Sequence, residues 1–283
     1  MTHTRSLLFL GYGYVAKATA ARLSGQNIKL SGTTRSAAKA SEMALSGISP
    51  LINATREELR GAVETATHIL VSVPPDEDGD PALPLLRGLK TPALEWLGYL
   101  STTGVYGDAG GGWVDEDTRP EPAEKRSKRR LQAEQGWQAF SKATRIVRLA
   151  GIYGPGRSAL ERVRSGTARR IVKQGQVFSR VHVDDIATAL LASMERQDVP
   201  GPFNLADDLP SSQAEVIGYA ADLLAVAPPP EEDFETAEMS PMMRSFFSSS
   251  RRVSSRKTRD ALGFELAYPT YREGLEAIYA ASV

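Results

Sequence analysis

The chain of 283 residues contains no cysteine. That excludes disulfides, thiolate nucleophiles and cysteine-ligated metal centres. Histidine is nearly as scarce: His3, His68 and His182 lie far apart and show no metal-ligand spacing. Excess charge is missing too. Thirty-four basic residues meet 34 acidic ones for a formal net charge of zero, so no global field draws the chain to nucleic acid or to an anionic membrane. No apolar run approaches the roughly 20 residues of a membrane span. The first such run, Leu7 to Leu10, is short and passes straight into a glycine turn, unlike the core of a signal peptide. These absences lead to the expectation of a soluble, cytoplasmic protein with a substantial core, whose partner is a small molecule and neither nucleic acid nor membrane.

What the chain does have begins at once. Leu7-Leu8-Phe9-Leu10-Gly11-Tyr12-Gly13-Tyr14-Val15-Ala16 is an apolar run, then a G-x-G-x-x-A turn. An amphipathic segment with Ala16, Ala20 and Leu23 on one face follows. This is the pattern strand, glycine turn, helix. Gly11 permits the tight turn, Gly13 lets the backbone approach a pyrophosphate, and Ala16 allows helix and strand to pack closely. Tyr14 and Val15 open a helix whose free N–H groups favour an anion. The pattern predicts dinucleotide binding, the alternative being an ordinary tight strand–helix turn. A second strand from Ile28 ends in Thr33-Thr34-Arg35-Ser36. An NAD site usually places an acid about 20 residues past the glycines to hold the ribose 2′-OH; here Thr34 and Arg35 stand there. A carboxylate repels a 2′-phosphate, whereas a guanidinium pairs with it through two N–H groups. This favours NADP over NAD as cofactor, unless Arg35 is simply a solvated loop residue.

Beyond that point strands and helices alternate. Helices are expected at Ser36–Leu45, Arg56–Glu64, from Pro81 to about Lys90, Ala123–Phe140 and Asp184–Met194. Strands are expected at Ile48–Asn53, His68–Val73, Trp96–Leu100, Arg145–Leu149, Val177–Val183 and Phe203–Leu205. The fold class is α/β, a Rossmann-type doubly wound parallel sheet. Ligands of such sheets bind beyond the carboxyl ends of the strands. The loops after Leu10, Val73 and Leu100 should therefore line one crevice. Ser72, Val73, Pro74, Leu149 and Ile152 join the candidate cofactor contacts. The expected division is a dinucleotide-binding domain of residues 1–155 and 177–205 with a smaller substrate-binding lobe of residues 156–176 and 206–283. The Met/Ser/Arg-rich stretch from Met239 to Arg256 is expected to be an ordered loop over the substrate crevice, with a mobile arm as the alternative.

Five pieces in this order resemble the extended short-chain dehydrogenase/reductase superfamily, in its epimerase/dehydratase branch. They are the glycine turn, Ser101-Thr102-Thr103-Gly104-Val105-Tyr106-Gly107, the Gly151–Arg157 turn, His182-Val183-Asp184-Asp185-Ile186-Ala187, and Phe203-Asn204-Leu205. Asp207-Asp208-Leu209-Pro210 and the stretch from Tyr268 to Leu275 are similar to an atypical bacterial subgroup. The resemblance implies a Rossmann domain with a smaller C-terminal domain, an NAD(P) cofactor, and oxidoreductase or epimerase/dehydratase chemistry. It also implies a loop hydroxyl that holds a substrate oxygen, and a Tyr–Lys pair four residues apart that passes the proton.

The hydroxyl is present as Thr102. Counting back from Ala133-Glu134, the Tyr and Lys positions fall on Arg126 and Arg130. A guanidinium stays protonated, so Arg126 cannot cycle a proton as a phenol does. The catalytic candidates are thus Thr102, Arg126, Arg130 and a substitute phenol, Tyr106 or Tyr153, each of which is equally a packing residue. Two cations favour an anionic small-molecule substrate. The alternative is a non-catalytic NADP-sensing protein that signals to a partner. Glu134 can pair with Arg130 one turn away, a structural role that stands equal beside a catalytic one. His182 reads as a helix-entry residue, the alternative being a base, and Asp184 as an N-cap. The oligomeric state stays open, a homodimer included.

Overall fold

The computed structural model describes residues 5–282; His3 lies outside them. Arg5–Leu10 (β1), Ile28–Thr34 (β2), Ser49–Ile52 (β3), His68–Val71 (β4), Trp96–Thr102 (β5), Thr144–Leu149 (β6) and Phe203–Leu205 (β7) form one sheet. Its order is β7-β6-β5-β4-β1-β2-β3. β1 runs parallel to both β2 and β4, β4 to β5, and β2 to β3. The order therefore reverses at β1, the kind of position where α/β sheets open a crevice.

The helices in chain order are α1 (Tyr14–Arg22), α2 (Ala37–Leu45), α3 (Arg56–Thr65), α4 (Leu83–Leu86), α5 (Lys125–Phe140), α6 (Ala159–Arg164) and α7 (Val183–Glu195). They continue as α8 (Gln213–Leu223), α9 (Pro241–Phe246), α10 (Arg256–Leu262) and α11 (Tyr271–Ala280).

Two compact units divide the chain. The first runs to Thr102 and adds Lys125–Arg148 and Ile186–Phe203. Its core sets Leu8, Leu10, Ile69, Val71, Leu97 and Tyr99 from adjoining strands against Leu59 and Val63 of α3 and Trp137 of α5. Full burial of each such side chain contributes about 1.5–3 kcal/mol. The four residues of β4 are all buried, as a central parallel strand requires.

The second unit comprises Thr103–Glu124, Leu149–Asp185 and the chain from Asn204 onward. It holds three pairs of short parallel strands: Gly151–Tyr153 with Arg180–His182, Arg170–Val172 with Glu231–Asp233, and Trp113–Val114 with Arg252–Val253. Its own core joins Tyr153, Leu160, Ile217, Tyr271, Leu275 and Ile278.

Three expectations need correction. The helix expected to reach about Lys90 ends at Leu86, because Arg87 turns extended and Gly88 takes φ +79°. The strand expected over Val177–Val183 shrinks to Arg180–His182, because Phe178 bridges to Ser211 and Val177 donates to the Ser250 hydroxyl. Helix α7 begins at Val183, so Asp184 lies in its first turn and is not the N-cap. The Asp184 N–H instead donates to Nδ1 of His182 at 3.2 Å, which makes His182 the helix-start acceptor.

The Met/Ser/Arg-rich stretch is stitched down. Gly111 donates to Ser250 O, Ser250 to the Asp108 carboxylate, Gln176 to Ser249 O, and Arg251 to Gly107 O.

Candidate active site

The turn after β1 is held on both sides. The Gly11 N–H donates to Thr33 Oγ1 at 2.8 Å, Tyr12 N–H to Thr33 O at 3.1 Å, and Ser72 Oγ to Gly11 O at 2.5 Å. Thr33 of β2 and Ser72 just after β4 thus fix the backbone between them. Gly11 has φ +84°, and a Cβ there would stand 2.7 Å from Val73 Cγ2 and 3.1 Å from Ser72 Oγ. Both left-handed backbone and steric closure demand glycine. Gly13 differs: its backbone is extended, and an added Cβ would meet only Ser72 Oγ, at 3.8 Å.

The space over Gly13 adjoins the first turn of α1. That turn has no side-chain cap and no acidic residue, and the N–H groups at a helix start point along its axis. Such a cradle suits a pyrophosphate. Val15 is buried and Tyr14 is half-buried. Sequence reasoning overlooked Thr33; its signal was a hydroxyl on the second strand, two residues before Arg35.

At the end of β2, Thr34 Oγ1 accepts from Ser36 N–H, and the Ser36 hydroxyl caps α2 through Lys39 N–H. Arg35 is exposed. Across the sheet, Ser72 and Val73 are half-buried and Pro74 is exposed. Register pairs Leu10 with Val71 and Val71 with Tyr99, so β1 and β4 end together and β5 runs on to Thr102 beside them. The three loops expected to share a crevice do leave from neighbouring strands.

Helix α5 grips the end of β5. Ser101 Oγ donates to Glu134 Oε1 at 2.5 Å, and Glu134 takes Nη2 of Arg148 at 2.8 Å and Nε at 3.2 Å. Glu134 is only 2 % exposed and Arg148 6 %. The Glu134–Arg130 pair that the spacing allows is therefore replaced by Glu134–Arg148. Arg130 donates to Leu100 O at 2.5 Å and lies 5.8 Å from the Tyr99 ring centroid, within cation–π reach. Tyr99 stacks on Trp137, and burial drives its phenol pKa well above the ordinary value. Thr102, the last residue of β5, is half-buried, and Arg126 is exposed in the first turn of α5.

In the second unit Tyr106 is buried and donates its hydroxyl to Asn204 Oδ1 at 2.8 Å. Tyr153 is buried as well, with its hydroxyl on Thr270 O and its ring against His182; desolvation raises its pKa. Both phenols are packed and hydrogen-bonded. Leu149 is buried, and half-buried Ile152 pairs with Val181.

Among the described residues no cluster of His, Asp or Glu could hold a metal ion, and no helix is long and apolar enough to cross a membrane.

Residues 80–206 match the sequence profile of the NAD dependent epimerase/dehydratase family. A conserved protein of unknown function from Silicibacter pomeroyi is 42 % identical, with 98 % of this chain and 99 % of that one covered and a TM-score of 0.90. The human epimerase family protein SDR39U1, solved with NADPH, is 17 % identical over 98 % of this chain and 99 % of its own. Its TM-score of 0.75 shows a shared fold. The 3-diazoavenalumate denitrifying reductase of a Streptomyces species is 29 % identical over 143 residues, 46 % of this chain and 45 % of the reductase. The chain thus spans less than half the length of that curated relative.

Proposed function

We propose, from the match of residues 80–206 to the NAD dependent epimerase/dehydratase family, an NADP-dependent oxidoreductase or epimerase/dehydratase-like enzyme with an anionic substrate. The observation that carries the proposal is the space over Gly13, bounded by Ser72 and the uncapped start of α1. In this proposal Gly11, Gly13, Tyr14 and Val15 seat the pyrophosphate. Thr34 and Arg35 hold the 2′-phosphate, and Ser72, Val73, Pro74, Leu149 and Ile152 frame the remainder. The cofactor supplies or accepts hydride when bound.

The chain's own residues then orient the substrate. The Thr102 hydroxyl holds the reacting oxygen, and Arg126 stabilises negative charge there without giving up a proton. Arg130 anchors the end of β5 through Leu100 O. The proton comes from water, since Tyr106 is committed to Asn204. The Streptomyces relative, by its name a reductase, supports reduction as the reaction type.

A non-catalytic NADP-sensing protein is the second reading, favoured by Arg130 of α5 being turned onto the Leu100 carbonyl of β5 and by both phenols being packed. Transfer of deuterium from C4-labelled NADPH into a metabolite extract separates the two. Label appearing in an extract component supports a reductase; tight NADPH binding with neither transfer nor any isomerised or dehydrated extract component supports the sensor.

A further inference from the structure

In the second unit the buried carboxyl of Asp207 lies near the guanidinium of half-buried Arg180 without a hydrogen bond to it. Asp207 is 2 % exposed. Its Oδ1 accepts a long 3.4 Å bond from Leu209 N–H, and its Oδ2 has no partner among the described residues. Its N–H donates to the carbonyl of Arg180 at 2.6 Å, so the two backbones are in contact. The Arg180 guanidinium is engaged elsewhere. Nη1 donates to Phe178 O at 2.8 Å and to Ser211 O at 3.0 Å, and Nη2 to Ser212 O at 3.2 Å. Ser212 is the N-cap of α8, and Ser211 bridges to Phe178, so Arg180 ties the start of α8 to the strand before it.

A second arrangement of the same groups is available. A buried carboxylate without a counter-charge is costly, whereas a neutral carboxyl is tolerated. Once ionised, Asp207 needs a cation, and Arg180 is the one nearest in the backbone. Arg259 turns both of its Nη atoms onto Asp208, at 2.8 and 3.1 Å, and its buried Nε has no partner among the described residues. The remaining charged and titratable groups facing the pair come from four elements. Arg162 of α6 and Tyr271 of α11 face Arg180, and Tyr153 faces both members of the pair. Asp185 and Glu273 face Tyr153 in turn, and Asp208 adds a like charge beside Asp207.

We propose that Asp207 and Arg180 form a two-position switch: neutral Asp207 leaves Arg180 holding the start of α8, and ionised Asp207 draws Arg180 away and loosens it. Burial pushes Asp207 up to about 8, against the pull of Arg180, which sets the switch in the mildly alkaline range. The sign follows from linkage. The folded chain keeps this proton to higher pH than an unfolded chain, so the fold loses stability as pH rises from the ordinary carboxylate range toward 8.

Hydrogen exchange read by mass spectrometry from pH 6.5 to 9.5, corrected for the intrinsic rate, tests this. In the unmodified protein, protection of Gln213–Ile217 should fall roughly tenfold with a midpoint near pH 8, while β5 of the first unit stays protected. Asp207→Asn should stay protected throughout. Carbon-13 carboxyl NMR of the unmodified protein is the companion measurement and needs no variant. A midpoint near 8 for Asp207 is expected, and one in the ordinary aspartate range would overturn the switch. So would flat protection in the unmodified protein, or loss in Asp207→Asn at the same pH.

Discussion

Glu134 closes on Arg148, Oε2 to Nη2 at 2.8 Å, with both side chains buried. Arg130, one turn away on the same helix, looks the natural partner by spacing. An exposed pair of that kind is worth only about 0.3–0.5 kcal/mol. The buried site needs its carboxylate matched on every side, and Arg148 of β6 with Ser101 of β5 does this through three hydrogen bonds. Glu134→Ala should therefore cost about 3–5 kcal/mol, since it strands Arg148 in the interior. Arg130→Ala should cost about 1 kcal/mol, the value of one hydrogen bond. Urea unfolding of the two variants measures the contrast; equal losses would mean that the buried pair is not the anchor of β5.

The two turn glycines should separate fold from ligand. Gly11→Ala puts a Cβ against Val73 at φ +84°, so a loss of about 1–3 kcal/mol in stability is expected. Gly13→Val meets no protein atom closely at Cβ and should leave the melting temperature nearly unchanged. It should abolish NADPH binding, because its side chain enters the space assigned to the pyrophosphate. Calorimetric titration beside a thermal melt reads both. Normal NADPH affinity in Gly13→Val would place the cofactor elsewhere.

How much of this was legible in the sequence depends on range. The glycine turn, the buried strand at His68 and the α/β alternation are local patterns, carried by spacing along the chain, and the sheet follows from them. The partner of Glu134 is fourteen residues away on a strand, and sheet geometry alone brings it in. Asp207 reads in sequence as half of an acidic pair; only burial separates it from Asp208, which is exposed and bound to Arg259. Tyr106 sits in a promising loop, but a one-turn 3-10 helix over Thr103–Tyr106 directs its hydroxyl to Asn204. Helix α4 stops early because Gly88 goes left-handed, a choice that neighbouring apolar residues do not announce.

Gly274 in α11 gives a test of the second unit alone. A Cβ there would overlap the hydroxyl and ring of Tyr153, itself packed on His182. Gly274→Ala should destabilise the chain by about 1–3 kcal/mol despite alanine's better helix propensity. A stabilised variant in a thermal melt would show that Tyr153 does not pack against α11 in this way.

Arg126→Ala tests whether that cation faces the substrate. The side chain is exposed, so the melting temperature should hold within a degree or two and NADPH binding should persist. Deuterium transfer from labelled NADPH to the extract component should fall roughly a hundredfold, on the order of the 2.7–4 kcal/mol that a lost charge-stabilising donor costs. Unchanged transfer would remove Arg126 from the site.

The central claim is an NADP site built on the β1 turn and the end of β2, and calorimetric titration of NADPH and NADH tests it most directly. Arg35 stands where an NAD site carries an acid, and one charge-assisted pair is worth about 1.5–3 kcal/mol, roughly ten- to a hundredfold in affinity. The unmodified protein should bind NADPH more tightly than NADH by that factor, and Arg35→Ala should bring the two affinities together by weakening NADPH alone. Equal affinities in the unmodified protein, or a preference that survives in Arg35→Ala, would contradict the account.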